Sequence, residues 1–377
     1  MRRLAVFLAL ASLAGCSTIG NLFGKKDDIP KLPDIHQTFK PLVLWQDDVG
    51  ASKDDVFVPA VDHGAVFAAS HDGEIMRIES LKGRVTWKID TGRKLSAGVG
   101  VGDGMLVVCA QDGEVLAYDE SGKLLWSHAI LGELLSVPQA ADGVVIVRVG
   151  DGRIFGLDEK DGRQLWVYQY ANPALSVRSY AGVAVSDETV YAGFAGGKLV
   201  SIDVKTGAVN WDSTVAQAHG TTELERIADV TSLPVVDELQ VCAVAYQGRL
   251  ACFDIGKGDL IWSRNVSSYA GMIVNKRNFF VTSDQGDILS LDSTAGATLW
   301  KQTLLEGRQP SAPYIQGSYV VVGDVQGYVH FMKRSDGDLV ARAETDGSPI
   351  RYGPVRLNDD MFLVQTQKGH LYAMATP

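Results

Sequence analysis

The chain has 377 residues, and its 45 acidic residues outnumber 35 basic ones for a net charge of −10. That balance argues against non-specific binding to nucleic acid, and a hydrophobic content of 46% argues against an intrinsically disordered chain. Four cysteines are too few for a disulfide-built scaffold, so the fold has to rest on a buried apolar core.

The N-terminus reads as a targeting segment. Met1-Arg2-Arg3, an apolar run from Leu4 to Leu13 and small residues before Cys16 predict a signal peptide over residues 1–15 and not a membrane span. Leu13-Ala14-Gly15-Cys16 resembles the lipobox of bacterial lipoproteins, which implies that Cys16 is acylated as the first mature residue. Ser17, in place of an aspartate, resembles an outer-membrane sorting signal, with the body facing the periplasm. Cleavage removes Arg2 and Arg3 from the 35 basic residues and no acid, leaving 33 against 45, or −12. Acyl chains, not a basic patch, would then hold the protein to the membrane. Residues 16–38 contain Gly20, Gly24, Lys25, Lys26, Pro30 and Pro33 with little periodicity, and read as a flexible lipidated tether.

Residues 39–377 are expected to form one repeat-built domain. Leu42-Val43-Leu44-Trp45 looks like the final strand of a repeat. The full unit is clearest in Gly197–Trp211: a strand, a tight Asp-x-x-Thr-Gly turn and a second strand ending in Trp. Copies start at Gly73, Gly113, Gly152, Gly197, Gly248, Gly286, Gly327 and Gly369, with spacings of 40, 39, 45, 51, 38, 41 and 42 residues. A period near 40 with four strands per unit predicts an all-β, eight-bladed propeller. Positions two and five after each glycine are apolar in every copy, so that strand is buried on both faces, as a blade between two blades requires. Asp119, Asp158, Asp203, Asp254 and Asp292 stand where a carboxylate can accept turn N–H groups. Trp87, Trp126, Trp166, Trp211, Trp262 and Trp300 fill one slot, with Ala341 the exception. The last copy stops at Pro377 before any Trp strand, so Leu42–Trp45 is expected to complete it and close the ring.

Chemistry-bearing motifs are scarce. There is no zinc spacing, Walker loop or nucleophile elbow, and the seven histidines are scattered, most of them expected at the surface. Gly98-Val99-Gly100-Val101-Gly102 reads as a strand-entry turn, and the Asp-Gly pairs at 72–73, 112–113 and 151–152 read as hairpin turns. Cys109, Cys242 and Cys252 fall in strand positions. Buried free thiols are the favoured reading, with a Cys242–Cys252 bridge across one hairpin the alternative.

Two connections exceed the repeat. The 45-residue step contains Asn172–Tyr180 and the 51-residue step contains Gly220–Val230. Each joins the outermost strand of one blade to the innermost strand of the next, on the face that carries the turns between second and third strands. The blades are neighbours, so the two loops should share one patch, either as a partner-binding surface or as tolerated insertions.

The pattern Ala-x-Asp-x-x-Thr-Gly-x-x-x-Trp resembles the repeats of quinoprotein dehydrogenases. Lipobox, length, eight copies and two irregular loops together make the whole chain resemble the propeller lipoproteins of the bacterial outer-membrane β-barrel assembly machinery. That resemblance implies a non-catalytic scaffold with no cofactor. It implies binding to the POTRA domains of BamA and to the rest of the complex, and help in inserting β-barrel proteins, with unfolded clients a further partner left open. The family's Leu-Ser-Leu-Arg motif corresponds to Leu175-Ser176-Val177-Arg178, and its Asp-Val-Asp to Asp229-Val230-Thr231, which lacks the second acid. Leu175 and Val177 would then be apolar anchors, Arg178 a forked donor, and Glu223, Arg226 and Asp229 a more polar rim. The alternatives are a dehydrogenase using pyrroloquinoline quinone and calcium, or a ligand-binding periplasmic propeller. The first would place its cofactor on the axis over a tryptophan floor, commonly with a vicinal cysteine pair. Here all seven tryptophans occupy repeat slots and no two cysteines are adjacent.

Overall fold

The computed structural model describes residues 29–377, so the signal peptide, Cys16, Ser17 and the start of the tether lie outside the described residues. Among the described residues no helix is long and apolar enough to cross a membrane. The chain from Pro33 to Pro377 forms one compact unit of eight antiparallel sheets, the blades of an eight-bladed propeller. The third strands follow from the apolar slots: Glu114–Asp119, Arg153–Asp158 and Lys198–Asp203 each bury their four central residues, because both faces meet neighbouring sheets. The fourth strands lie outermost, and Gln164–Gln169 buries chiefly Trp166 and exposes most of the rest. Between third and fourth strands the aspartates do the expected work. Asp119 Oδ1 accepts the amides of Ser121 (2.9 Å) and Lys123 (3.0 Å), and Asp203 Oδ1 that of Thr206 (2.8 Å). The hydroxyls of Ser121 and Thr206 join these bonds and hold both carboxyls below the usual range.

The tryptophans lock each blade to the next. The indole N–H of Trp126 donates to Glu159 O (2.7 Å), Trp166 to Val204 O (2.8 Å) and Trp300 to Arg334 O (2.9 Å), always in the next blade's third-to-fourth turn. The ring lies on that turn's glycine. A Cβ on Gly162 would stand 2.5 Å from Trp126, and one on Gly207 2.7 Å from Trp166, so these glycines serve close approach as well as positive φ. Blade 8 takes its fourth strand, Leu42–Asp48, from the N-terminus, paired antiparallel with His370–Ala375. Trp45 reaches forward to Ser80 O (2.8 Å) in blade 1 and closes the ring. Blade 8 therefore has no third-to-fourth turn to receive a tryptophan from blade 7, and this is why that slot holds Ala341. Phe39 instead packs on Tyr319 and Phe331, with ring centroids 4.8 and 5.6 Å apart. Thr38 N–H donates to Val340 O (2.9 Å) and Arg342 to Pro33 O (3.0 Å), so the compact unit begins at Pro33, ahead of the boundary expected at 39.

Three local features differ from the sequence reading. Gly98–Gly102 lies inside the strand Leu95–Gly102, not in a turn ahead of it. Val56–Phe57 pairs in parallel against Ala97 and Gly98, giving blade 2 a fifth strand inside its innermost one, while the missing side chains of Gly100 and Gly102 let blade 3 approach, a Cβ there standing 2.2 Å from Pro138 O and 2.1 Å from Ala140 O. Cys242 and Cys252 form a disulfide instead of standing as free thiols: they face each other directly in neighbouring strands with Cα atoms 4.1 Å apart. Cys109 is free, and burial pushes its thiol up to about 12. Two of the histidines, His71 and His330, are buried and paired with Asp55 (2.9 Å) and Asp324 (2.9 Å).

Candidate docking surface

The two long connections do share one patch. Loop one, 172–181, follows the fourth strand of blade 3, and loop two, 220–231, follows that of blade 4; they meet at Asp229. This carboxylate is 2% exposed, and it accepts the Val177 amide at Oδ2 (2.7 Å) and the Gly196 amide at Oδ1 (2.9 Å). Its own carbonyl accepts Tyr246 N–H (2.8 Å), and Ser179 Oγ donates to Thr231 O (3.4 Å). Asp229 is thus not the exposed rim residue its sequence position suggested. It is the tie that holds loop one to loop two and to blade 4. Loop two also folds on itself. Glu225 accepts the amides of Thr221 (2.8 Å) and Thr222 (3.2 Å), which hold its carboxyl below the usual range, and Arg226 Nε donates to Gly220 O (3.2 Å). Glu223 and Arg226 are exposed and 3.6 Å apart.

On this rigid base Leu175 (41% exposed), Ser176 and Arg178 face solvent, with Val177 half-buried below them. Arg178 Nη1 donates to Tyr180 Oη (3.3 Å), the guanidinium lies 5.5 Å from the Tyr180 ring centroid, and Nε is 3.6 Å from Glu133 Oε2. Tyr180 Oη in turn donates to Asp54 O (3.1 Å). Glu133 belongs to the connection from blade 2 to blade 3, which keeps the normal repeat length and gave no sequence signal. It also presents Leu131, 88% exposed, while loop two presents Leu224 at 68%. Three successive connections therefore each expose a leucine, and the guanidinium of Arg178 is held between Tyr180 and Glu133. Such a group of apolar anchors with a charged fork suits a protein partner.

A family model described as Outer membrane protein assembly factor BamB matches residues 71–302 and 284–376. A relative of that name from Nitrosomonas eutropha is 41% identical, over 99% of this chain and 94% of its own. This chain belongs to the BamB family of outer membrane protein assembly factors. The relative from Bordetella pertussis is 38% identical, over 98% of this chain and 96% of its own. The crystal structure of BamB from Moraxella catarrhalis matches with a TM-score of 0.81 at 25% identity, covering 89% of this chain and 100% of that one. A quinohemoprotein alcohol dehydrogenase from Comamonas testosteroni matches with a TM-score of 0.72 at 12% identity, covering 91% and 78%, and shares the fold alone. The match to the BamB family spans the repeats from residue 71 to residue 376. It leaves open which surface meets a partner, and the loop patch is the candidate.

Proposed function

We propose that the protein is a non-catalytic scaffold lipoprotein that docks on the POTRA domains of BamA and so assists insertion of β-barrel proteins into the outer membrane. The observation that carries this reading is the patch itself. Leu175 and Arg178 lie exposed on a loop that the buried Asp229 ties to loop two, which exposes Leu224, so binding orders little that is not already ordered. A scaffold is further supported by the commitment of the tryptophans to inter-blade locks and by Val56–Phe57, which lies inside the innermost strand of blade 2 on the axial side. Hydrogen exchange with and without the purified periplasmic region of BamA tests the reading. Residues 172–181 and 220–231 should gain protection while the opposite face, with the turns at 62–64 and 119–123, stays unchanged. Protection confined to the opposite face would refute it.

The anchor is a separate expectation. Cys16→Ala should leave an unprocessed or soluble periplasmic protein, whereas the native protein should carry acyl mass on Cys16 and fractionate with the outer membrane. A native protein without lipid by intact-mass analysis would overturn this part.

A further inference from the structure

Beneath loop one lies a polar crevice of about 30 Å³, lined by Ser136, Arg148, Ser176, Val177, Asp229 and Thr231 among others. We propose that it receives one carboxylate side chain, an aspartate or glutamate of the docked partner. This rests on the docking reading above and specifies the chemistry of that same surface.

Arg148 ends the second strand of blade 3, where the alternation of that strand points its side chain toward the neighbouring blade. Nη2 donates to Gly193 O (2.6 Å) and Nη1 to Gly182 O (3.3 Å), and the guanidinium lies 5.0 Å from the Phe194 ring centroid. A guanidinium carries five N–H donors, and two carbonyls do not exhaust them. Among the described residues no carboxylate stands within ion-pair distance of it, and desolvation brings its pKa down to about 10. Asp229 lines the same crevice, but both its oxygens already accept backbone amides. Two more groups wait in the crevice. Ser136, 4% exposed, and Thr231 each bury a hydroxyl oxygen that has no hydrogen-bond partner. Buried polar groups in native proteins are almost always satisfied, so a half-buried cation beside two idle hydroxyls marks a place for an acceptor. Roughly 10–15 Å³ accommodates one water-sized position, so the crevice has room for about two oxygens, as many as one carboxylate carries. Its lining comes from loop one, loop two and the connection from blade 2 to blade 3, the surface on which a docked partner would supply the side chain.

The test uses the full propeller and the purified BamA periplasmic region. Arg148→Lys keeps the charge and removes the planar fork, and should weaken binding about tenfold or more with an unchanged melting curve. The double variant Ser136→Ala/Thr231→Val should weaken it severalfold, and it carries the test if the Arg148 variant does not fold. Neutralising BamA acids one at a time should reveal one Asp or Glu whose loss weakens binding to the native propeller but adds nothing against Arg148→Lys. Native affinity in the Arg148 and hydroxyl variants, with Arg178→Glu still disruptive, would show the crevice holding only water or a free anion and would overturn the subsite alone. Native affinity in Arg178→Glu as well would remove the docking surface and the subsite with it.

Discussion

A protein lacking residues 39–46 should melt on the order of 10 °C or more below the native protein and should self-associate. The deleted segment supplies most of the outermost strand of blade 8, whose register runs from Leu42 against Ala375 to Asp48 against His370. It also supplies Trp45, 9% exposed, its indole bonded to Ser80 O at 2.8 Å and its ring on Gly83. Loss of a buried tryptophan side chain costs about 3–5 kcal/mol, and each backbone bond adds roughly 1 kcal/mol. For a domain of this size each kcal/mol moves the melting point by about 2 °C. The bared edge of His370–Ala375 would then seek another strand, which gives the self-association. Trp45→Ala alone should show about half of the thermal effect and little self-association, because the strand remains. An unchanged melting point in the deletion would mean that the ring is not held closed by this strand.

Asp229→Ala is expected to be the most damaging single change on the docking face. The half-buried Val177 and Gly196 amides have no other acceptor among the described residues once this carboxylate is gone, and an unpartnered group costs about 1–3 kcal/mol where it is buried. The expected loss of stability is about 2–4 kcal/mol, with faster hydrogen exchange over 172–181 and weaker partner binding through disorder of loop one. Asp229→Asn keeps one acceptor oxygen and should fall between the two. Native exchange rates in Asp229→Ala would contradict the role of this residue as the tie between the loops.

The architecture was legible because a propeller repeats its physics. Every blade repeats the buried third strand, and most repeat the aspartate-capped turn and the tryptophan, so many weak signals reinforce one another. Even the exception was informative: Ala341 marks the blade whose neighbour borrows its last strand, although the reason becomes visible only when Trp45 is seen to lie on Gly83. The candidate docking surface was legible only in part. Insertions in the repeat pointed to loops one and two, but burial is not written in loop sequence. Asp229 looked like one more surface acid beside Glu223 and Arg226, and it proved to be internal. Leu131 and Glu133 sit in a connection of ordinary length and had no signal. Arg148 is one arginine among many until the absence of a carboxylate beside it is seen in three dimensions. The disulfide likewise depended on the pairing of Cys242 with Cys252, which two free strand positions in sequence do not decide.

The docking proposed above has this face of the propeller capture BamA through Leu175 and Arg178. The direct measurement is capture of BamA from detergent-solubilised envelopes, and titration of its purified periplasmic region, by the native protein, Leu175→Ala and Arg178→Glu, each with a native melting curve. Arg178→Glu reverses the charge of an exposed side chain, so it should leave folding intact while weakening binding by roughly 2–4 kcal/mol, and Leu175→Ala should cost about 1–2 kcal/mol. Undiminished capture by both folded variants would rule out this surface and leave the two long loops as insertions the ring merely tolerates.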